Sequence, residues 1–269
     1  MKLMIDPWGR MIDYLRISVT DRCDLRCRYC RPGERTPPLP RSRILRFDEI
    51  EAVARAAIRL GVKKIRLTGG EPLMRADLGT LVGMLASIYG LRDLAMTTNG
   101  LRLAAHAAGL AAAGLRRVNV SLDAMDPGRF AAITGGGDVR RVLEGIDAAR
   151  RHGLEPVKLN CVVSASVDEP DARDVAWFAR REGLQARFIR QMDLAHGRFS
   201  RVEGGQGGDC PRCTRLRLTA DGRVRPCLFS DLSFDVRELG PEEALERAAA
   251  RKPRAGSACT SREIHSIGG

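Results

Sequence analysis

The sequence predicts an α/β fold, a partial (β/α)6 TIM-like barrel followed by a small C-terminal β-hairpin extension. Short β-branched or Leu-rich runs alternate with longer helical patterns, the signature of βα units around a parallel sheet. Six such units precede residue 193, too few for a complete eight-strand barrel. The sheet is therefore expected to stay open, with its site at the carboxyl ends of the strands. At 269 residues, 44% of them hydrophobic, the chain is long enough to bury a sizeable core.

The expected strands cover 15–19, 64–67, 94–97, 118–122, 157–163 and 185–189, each followed by a polar or Gly-containing turn. Expected helices cover 48–60, 78–89, 103–113, 139–152 and 171–182. The first is well punctuated. Asp48 and Glu51 can form a capping box, and Gly61 supplies the left-handed residue that ends the helix. Residues 193–209 are charged and Gly-rich (Gly204, Gly205, Gly207, Gly208) without periodicity, and read as a linker. Beyond it, 216–218 and 224–228 flank Ala220-Asp221-Gly222, an Asp-Gly turn that argues for a hairpin. The expected division is a barrel over 1–192, a linker over 193–209 and a C-terminal segment over 210–269.

No long apolar run occurs and residues 1–10 lack a signal-peptide pattern, so a soluble cytoplasmic protein without a membrane partner is expected. The net charge of +12 suits a nucleotide, an acidic protein or nucleic acid, and equally a genome that favours Arg. Aromatic residues make up only 4%, few for base-stacking platforms, which argues against nucleic acid. Six of the eight cysteines fall in two tight sets, which favours metal ligation over disulfides.

The first set, Cys23, Cys27 and Cys30, has the spacing C-x3-C-x2-C in a polar loop after the first strand. Chance would produce a given three-cysteine spacing roughly 0.007 times in such a chain. Three thiolates leave one iron of a four-iron cubane open, whereas structural zinc is normally closed by four ligands. The octapeptide Cys23-Asp24-Leu25-Arg26-Cys27-Arg28-Tyr29-Cys30 resembles the defining motif of the radical S-adenosylmethionine (SAM) superfamily. Gly69-Gly70-Glu71-Pro72 resembles that family's GGEP turn, although taken alone it is ordinary strand-ending punctuation. The resemblance implies a 4Fe-4S cluster on the three cysteines and a low-potential electron donor to reduce it. It further implies SAM held by Tyr29, Gly69, Gly70, Glu71, Ser121 and Met192, with Met192 reading equally well as core packing.

The second set, Cys210, Cys213 and Cys227, has the spacing C-x2-C-x13-C, which the hairpin would bring together. From the residues alone, structural zinc and an iron–sulfur cluster stand level. Three stretches narrow the resemblance: Cys213-Thr214-Arg215-Leu216-Arg217-Leu218-Thr219, Pro226-Cys227-Leu228-Phe229 and the terminal Ile267-Gly268-Gly269. Together they are similar to the GTP 3′,8-cyclase family of molybdenum cofactor biosynthesis. That likeness implies a second 4Fe-4S cluster open to guanine. It places GTP on Arg16, Arg66, Thr97, Lys158, Arg187, Arg215, Leu216 and Arg217, with Arg215, Arg217, Gly268 and Gly269 needed for catalysis. Guanidinium and ammonium groups are what a triphosphate requires. A downstream cyclic pyranopterin monophosphate synthase would consume the product, and the enzyme would be a monomer or homodimer.

The chain departs from that family at Arg31, Arg190 and Thr214, and in the short stretch between Met192 and Cys210. These departures keep open a paralogue acting on a peptide or another nucleotide. An RNA-binding protein with two zinc knuckles is disfavoured by the missing fourth ligands. Cys161, in an apolar run, is expected to be an inert core residue, and Cys259 a free thiol or a fourth ligand. His106, His152, His196 and His265 show no ligand spacing.

Overall fold

The structure is a computed structural model and describes residues 3–30, 37–193, 196–256 and 259. Six parallel strands lie where the alternation predicts them: β1 (Tyr14–Ser18), β2 (Lys64–Thr68), β3 (Asp93–Thr98), β4 (Arg117–Ser121), β5 (Lys158–Val163) and β6 (Gln185–Arg190). Three more, β7 (Arg215–Leu218), β8 (Arg223–Arg225) and β9 (Phe234–Asp235), complete one sheet in the order β6-β5-β4-β3-β2-β1-β7-β8-β9. The helices are α1 (Phe47–Arg59), α2 (Leu78–Ala86), α3 (Leu103–Ala112), α4 (Pro127–Thr134), α5 (Val139–Arg151), α6 (Pro170–Arg181), α7 (Val236–Leu239) and α8 (Pro241–Ala250).

Period-two alternation sorts each strand onto two faces. In β1, Leu15 and Ile17 are fully buried under the helices while Tyr14 and Arg16 take the other face. In β2, Ile65 and Leu67 repeat this against Arg66. Burying each such aliphatic side chain stabilises the fold by about 2 kcal/mol. The helices answer with matching stripes, Ile50, Val53, Ala54 and Ala57 in α1 and Val139, Val142, Ile146 and Ala149 in α5. The helical side of the sheet is thus oil and the concave side carries the polar residues.

Three local expectations are corrected. The cap of α1 lies two residues earlier than its punctuation suggested, at Arg46 rather than Asp48, so Glu49 rather than Glu51 reaches back, accepting from the Arg46 N–H at 2.7 Å. Glu51 instead pairs with Arg55 one turn on, at 2.6 Å. The α2 helix stops at Ala86 rather than Tyr89, where the Ser87 N–H closes on the Gly83 carbonyl. The stretch 139–152 is preceded by an unpredicted helix, α4, capped by Asp126, whose carboxylate accepts from the Arg129 N–H at 2.8 Å.

The larger differences lie at the C-terminal end. The hairpin does not stand apart: β7 pairs parallel with β1, Arg16 opposite Arg217, so the barrel sheet gains a seventh parallel strand from the far end of the chain. α8 packs on α1 and seals that edge. Residues 196–209 are a strap rather than a free linker. Glu203 bridges Phe188 of β6, and the Gln185 amide donates to the Gly204 carbonyl at 2.9 Å. Gly204 (φ +72°) lies so close to β6 that a Cβ there would sit 2.4 Å from the Ala186 carbonyl oxygen.

Candidate active site

One cavity occupies the concave face, lined by residues from β1 to β7, by the loop 23–30 and by strap residues Val202, Gly205, Gln206 and Gly207. Its upper end is built by the first cysteine loop. Cys23, Cys27 and Cys30 all line it, and the Cys30 N–H donates to the Cys27 carbonyl at 3.0 Å. The loop is pinned from outside by the end of α4, the Arg26 N–H donating to Thr134 and the Arg28 N–H to Ile133. Burial pushes the Cys23 thiol up to about 11 and Cys27 to about 12. As thiolates these cysteines therefore need a positive partner, which iron supplies; their residue type and common cavity suit a cluster, although among the described residues no three Cys, His, Asp or Glu side chains are already gathered around a metal position.

Behind the cysteines stands the Gly69-Gly70-Glu71 turn. The Gly70 N–H donates to the Thr20 carbonyl and the Glu71 N–H to the Arg22 carbonyl at 2.7 Å. A Cβ on Gly69 would lie 2.5 Å from the Thr20 oxygen, and one on Gly70 2.4 Å from the Arg22 oxygen, so glycine is required at both. Glu71, 1% exposed, accepts from the Leu73 N–H, the Thr98 hydroxyl at 2.8 Å and the Asn99 N–H at 2.7 Å. Burial raises its carboxyl to about 7 against those three bonds. Asn99 in turn reaches Asp24 at 2.7 Å inside the cysteine loop, and Arg102 pairs with the same Asp24. Across the mouth the Tyr29 hydroxyl donates to Asp123 at 2.7 Å, and Asp123 accepts from the Val162 N–H at 2.8 Å; burial lifts its carboxyl to about 6. Ser121 and Met192 line the same mouth, Met192 also packing on Leu228 and Phe229.

The lower half is a nest of cations. Arg16, Arg66, Arg187, Arg215 and Arg217 line it together with Thr97, Asn119 and Asn160. Burial lowers Arg16 well below the ordinary guanidinium value, with Arg217 beside it adding to the effect. Arg217, 7% exposed, falls to about 10 from burial and from Arg215. Arg66 and Arg187 are lowered by burial as well. Burial raises the Tyr14 phenol, but Arg66, Arg16, Arg215 and Arg217 outweigh it and draw it below its usual value. Its ring lies under two of them, Arg66 at 5.7 Å and Arg215 at 5.9 Å from the centroid. Turned to satisfy both neighbours, the Asn119 amide oxygen accepts from Arg66 at 3.0 Å and Arg187 at 3.3 Å.

Three polar atoms in this nest are buried without a hydrogen-bond partner among the described residues: Arg66 Nε, Arg187 Nε and Thr97 Oγ1. Such orphans are costly and point to a ligand that completes them. Clustered guanidiniums held by aromatic and amide groups define that ligand as a polyanion.

One residue expected on the substrate turns its side chain elsewhere. Leu216 is fully buried with the helical-side core, because alternation turns it away when Arg215 and Arg217 face inward. Lys158 shares the inward face of β5 with Asn160 and Val162, next to the nest: burial lowers its ammonium first, then nearby Arg187, Arg117 and Arg66. Gly268 and Gly269 lie outside the described residues. Sequence reasoning missed Tyr14, Asn119 and Asn160. All three lie on the strand face already marked as inward by Arg16, Thr97 and Ser121, so strict alternation could have found them.

The second cysteine set sits beyond the cation nest. Cys210, Cys213 and Cys227 are half-buried, and the Cys213 N–H donates to the Cys210 carbonyl at 3.1 Å. Burial alone would raise the Cys213 thiol, but Lys252, Arg215 and Arg217 outweigh it and lower it. This is the opposite of Cys23 and Cys27, and favours the thiolate form of Cys213 more than theirs. Cys161 is 1% exposed in the core, as expected, and Cys259 is buried on Leu228 and Phe229.

Comparison with known proteins agrees with this geometry. Residues 17–194 match the family described as the Radical SAM superfamily. The GTP 3′,8-cyclase of Moorella thermoacetica is 42% identical over 92% of this chain and 92% of its own length. The GTP 3′,8-cyclase of Pelotomaculum thermopropionicum is 42% identical over 92% of this chain and 90% of its own. Among solved structures, native anSMEcpe with bound AdoMet superposes with a TM-score of 0.67 at 15% identity, over 89% of this chain and 81% of that one, a likeness of fold.

Proposed function

This chain belongs to the radical SAM superfamily and, within it, to the GTP 3′,8-cyclase family, and from that premise we propose that it converts GTP to (8S)-3′,8-cyclo-7,8-dihydroguanosine 5′-triphosphate. The observation that carries the reading is the cation nest, with its orphaned Arg66 Nε, Arg187 Nε and Thr97 Oγ1, directly beneath the cysteine mouth. A 4Fe-4S cluster on Cys23, Cys27 and Cys30 would supply the electron that breaks a carbon–sulfur bond of SAM and releases the 5′-deoxyadenosyl radical.

The protein's part is placement. Gly69 and Gly70 let the backbone pass close to the cysteine loop, leaving the rim of that turn for the amino group of SAM. Glu71 orders the turn and the Asn99 loop through its three accepted bonds. The triphosphate would lie on Arg16, Arg66, Arg187, Arg215 and Arg217, where an anion restores the charge that burial disfavours. Its ribose would then point up toward the mouth, putting the 3′ hydrogen within reach of the radical and C8 of the base within reach of C3′. Phe199, Val202 and the glycines of the strap wall off the β6 side, limiting the water that would divert radical intermediates.

A second 4Fe-4S cluster on Cys210, Cys213 and Cys227, open to the guanine, belongs to the same proposal; the lowered Cys213 thiol supports it. A synthase forming cyclic pyranopterin monophosphate would take the product. Among the described residues no helix is long and apolar enough to cross a membrane. The test is anaerobic reconstitution with iron and sulfide, then dithionite, SAM and GTP. About eight irons per chain and a cyclic GTP isomer are expected. Deoxyadenosine without GTP conversion would sink the substrate and favour a paralogue acting on other molecules.

A further inference from the structure

The start of the chain and the turn after α8 meet at the second cysteine set. Arg10 is paired with Asp6 at 2.5 Å and donates to the Cys210 carbonyl and the Pro253 carbonyl, each at 2.6 Å. The Trp8 indole donates to the Lys252 carbonyl at 3.1 Å. These bonds hold Lys252, which is 3% exposed, with its ammonium turned inward.

That ammonium donates to the Arg215 carbonyl at 2.6 Å and the Pro226 carbonyl at 2.7 Å. The first carbonyl lies two residues after Cys213 and the second immediately before Cys227. One buried cation therefore ties together the two arms of the hairpin that carry those cysteines. Arg10 has Asp6, but among the described residues no carboxylate lies within ion-pair distance of Lys252. The groups beside its ammonium are the thiols of Cys213, in hydrogen-bond contact, and Cys227. An unpaired buried ammonium is expensive, so its charge calls for the thiolates beside it.

We infer that Lys252 is a positioning residue for the second cluster: it fixes the Cys213 and Cys227 arms and offsets the negative charge of the thiolates that hold the iron. The inference rests on the proposed second cluster and not on the identity of the substrate. A fixed positive charge favours the more reduced, more negative state of a cluster, so losing it lowers that cluster's potential.

The test uses the full chain, reconstituted anaerobically, as wild type, Lys252→Met and Lys252→Gln. Methionine removes both donors and the charge; glutamine keeps a donor and removes only the charge. Uncoupled SAM cleavage at the first cluster, with melting temperature, reports whether each variant is folded. Lys252→Met is expected to lose about half its iron while SAM cleavage persists. Lys252→Gln is expected to keep more iron, with the second cluster's midpoint potential shifted downward and the first cluster's unchanged. Full iron and an unshifted potential in both variants would overturn the inference. Wild type holding about four irons would overturn the two-cluster reading and this inference with it.

Discussion

Replacing Thr97 by valine separates a binding role from a folding role, because the two make opposite predictions. Thr97 Oγ1 is shut away from water and bonds nothing among the described residues. A desolvated, unsatisfied hydroxyl costs about 1–3 kcal/mol. Valine has nearly the same shape and removes that cost, so the ligand-free variant should gain about 1 kcal/mol, a rise of roughly 2–4 °C in Tm for a chain of this size. If the hydroxyl instead serves bound GTP, its loss is felt in the complex. A bond to a charged phosphate oxygen is worth about 1.5–3 kcal/mol, a weakening of Kd by roughly ten- to a hundredfold. Anaerobic thermal denaturation of the ligand-free protein and calorimetric titration with GTP read the two numbers separately. A variant that melts lower and binds GTP as before would show that the hydroxyl serves the fold, and would remove one of the three orphans on which the nucleotide site is argued.

Other predictions address the remaining parts. Asp123 has its carboxyl raised from 3.8 to about 6, so its contribution to stability is complete below pH 3.8 and is lost as pH rises through 6. Asp123→Asn keeps an acceptor for the Val162 N–H, turns the Tyr29 bond into one that the amide donates, and should flatten that decline by about 2 kcal/mol, read by denaturant titration at pH 4 and pH 7; an unchanged slope contradicts it. Gly70→Ala drives a methyl into the Arg22 carbonyl and should abolish SAM cleavage while GTP still binds, as separate assays would show. Gly204→Ala forces the strap off β6 and should raise the KM for GTP about tenfold with SAM cleavage intact, a cost near 1.4 kcal/mol.

Strands β1 to β6 were legible to within a residue or two because a parallel sheet buried on one face and polar on the other writes its period plainly, as in Leu15 and Ile17 against Tyr14 and Arg16. The two cysteine sets and the Gly-Gly-Glu turn were legible because their chemistry depends on local spacing. The pairing of β7 with β1 was not, since Arg217 and Arg16 are joined only by tertiary structure across most of the chain. The strap was misread for a related reason. Its glycines looked like a flexible link, yet Gly204 and Gly208 are there because β6 and Ser200 press against them, a constraint that composition does not reveal. Leu216 was expected on the substrate from the family resemblance, and strand alternation turns its side chain into the helical-side core. Lys252 carried no sequence signal at all; only burial and two hydrogen bonds single it out.

The central claim is that the radical made at the Cys23, Cys27 and Cys30 mouth acts on the ribose of a nucleotide held in the arginine nest. The most direct test supplies GTP deuterated at C3′ with SAM and dithionite, and follows the label by mass spectrometry. Deuterium is expected in 5′-deoxyadenosine in step with loss of GTP, and Arg66→Ala should suppress the transfer while SAM cleavage continues. Unlabelled 5′-deoxyadenosine with intact GTP would contradict it.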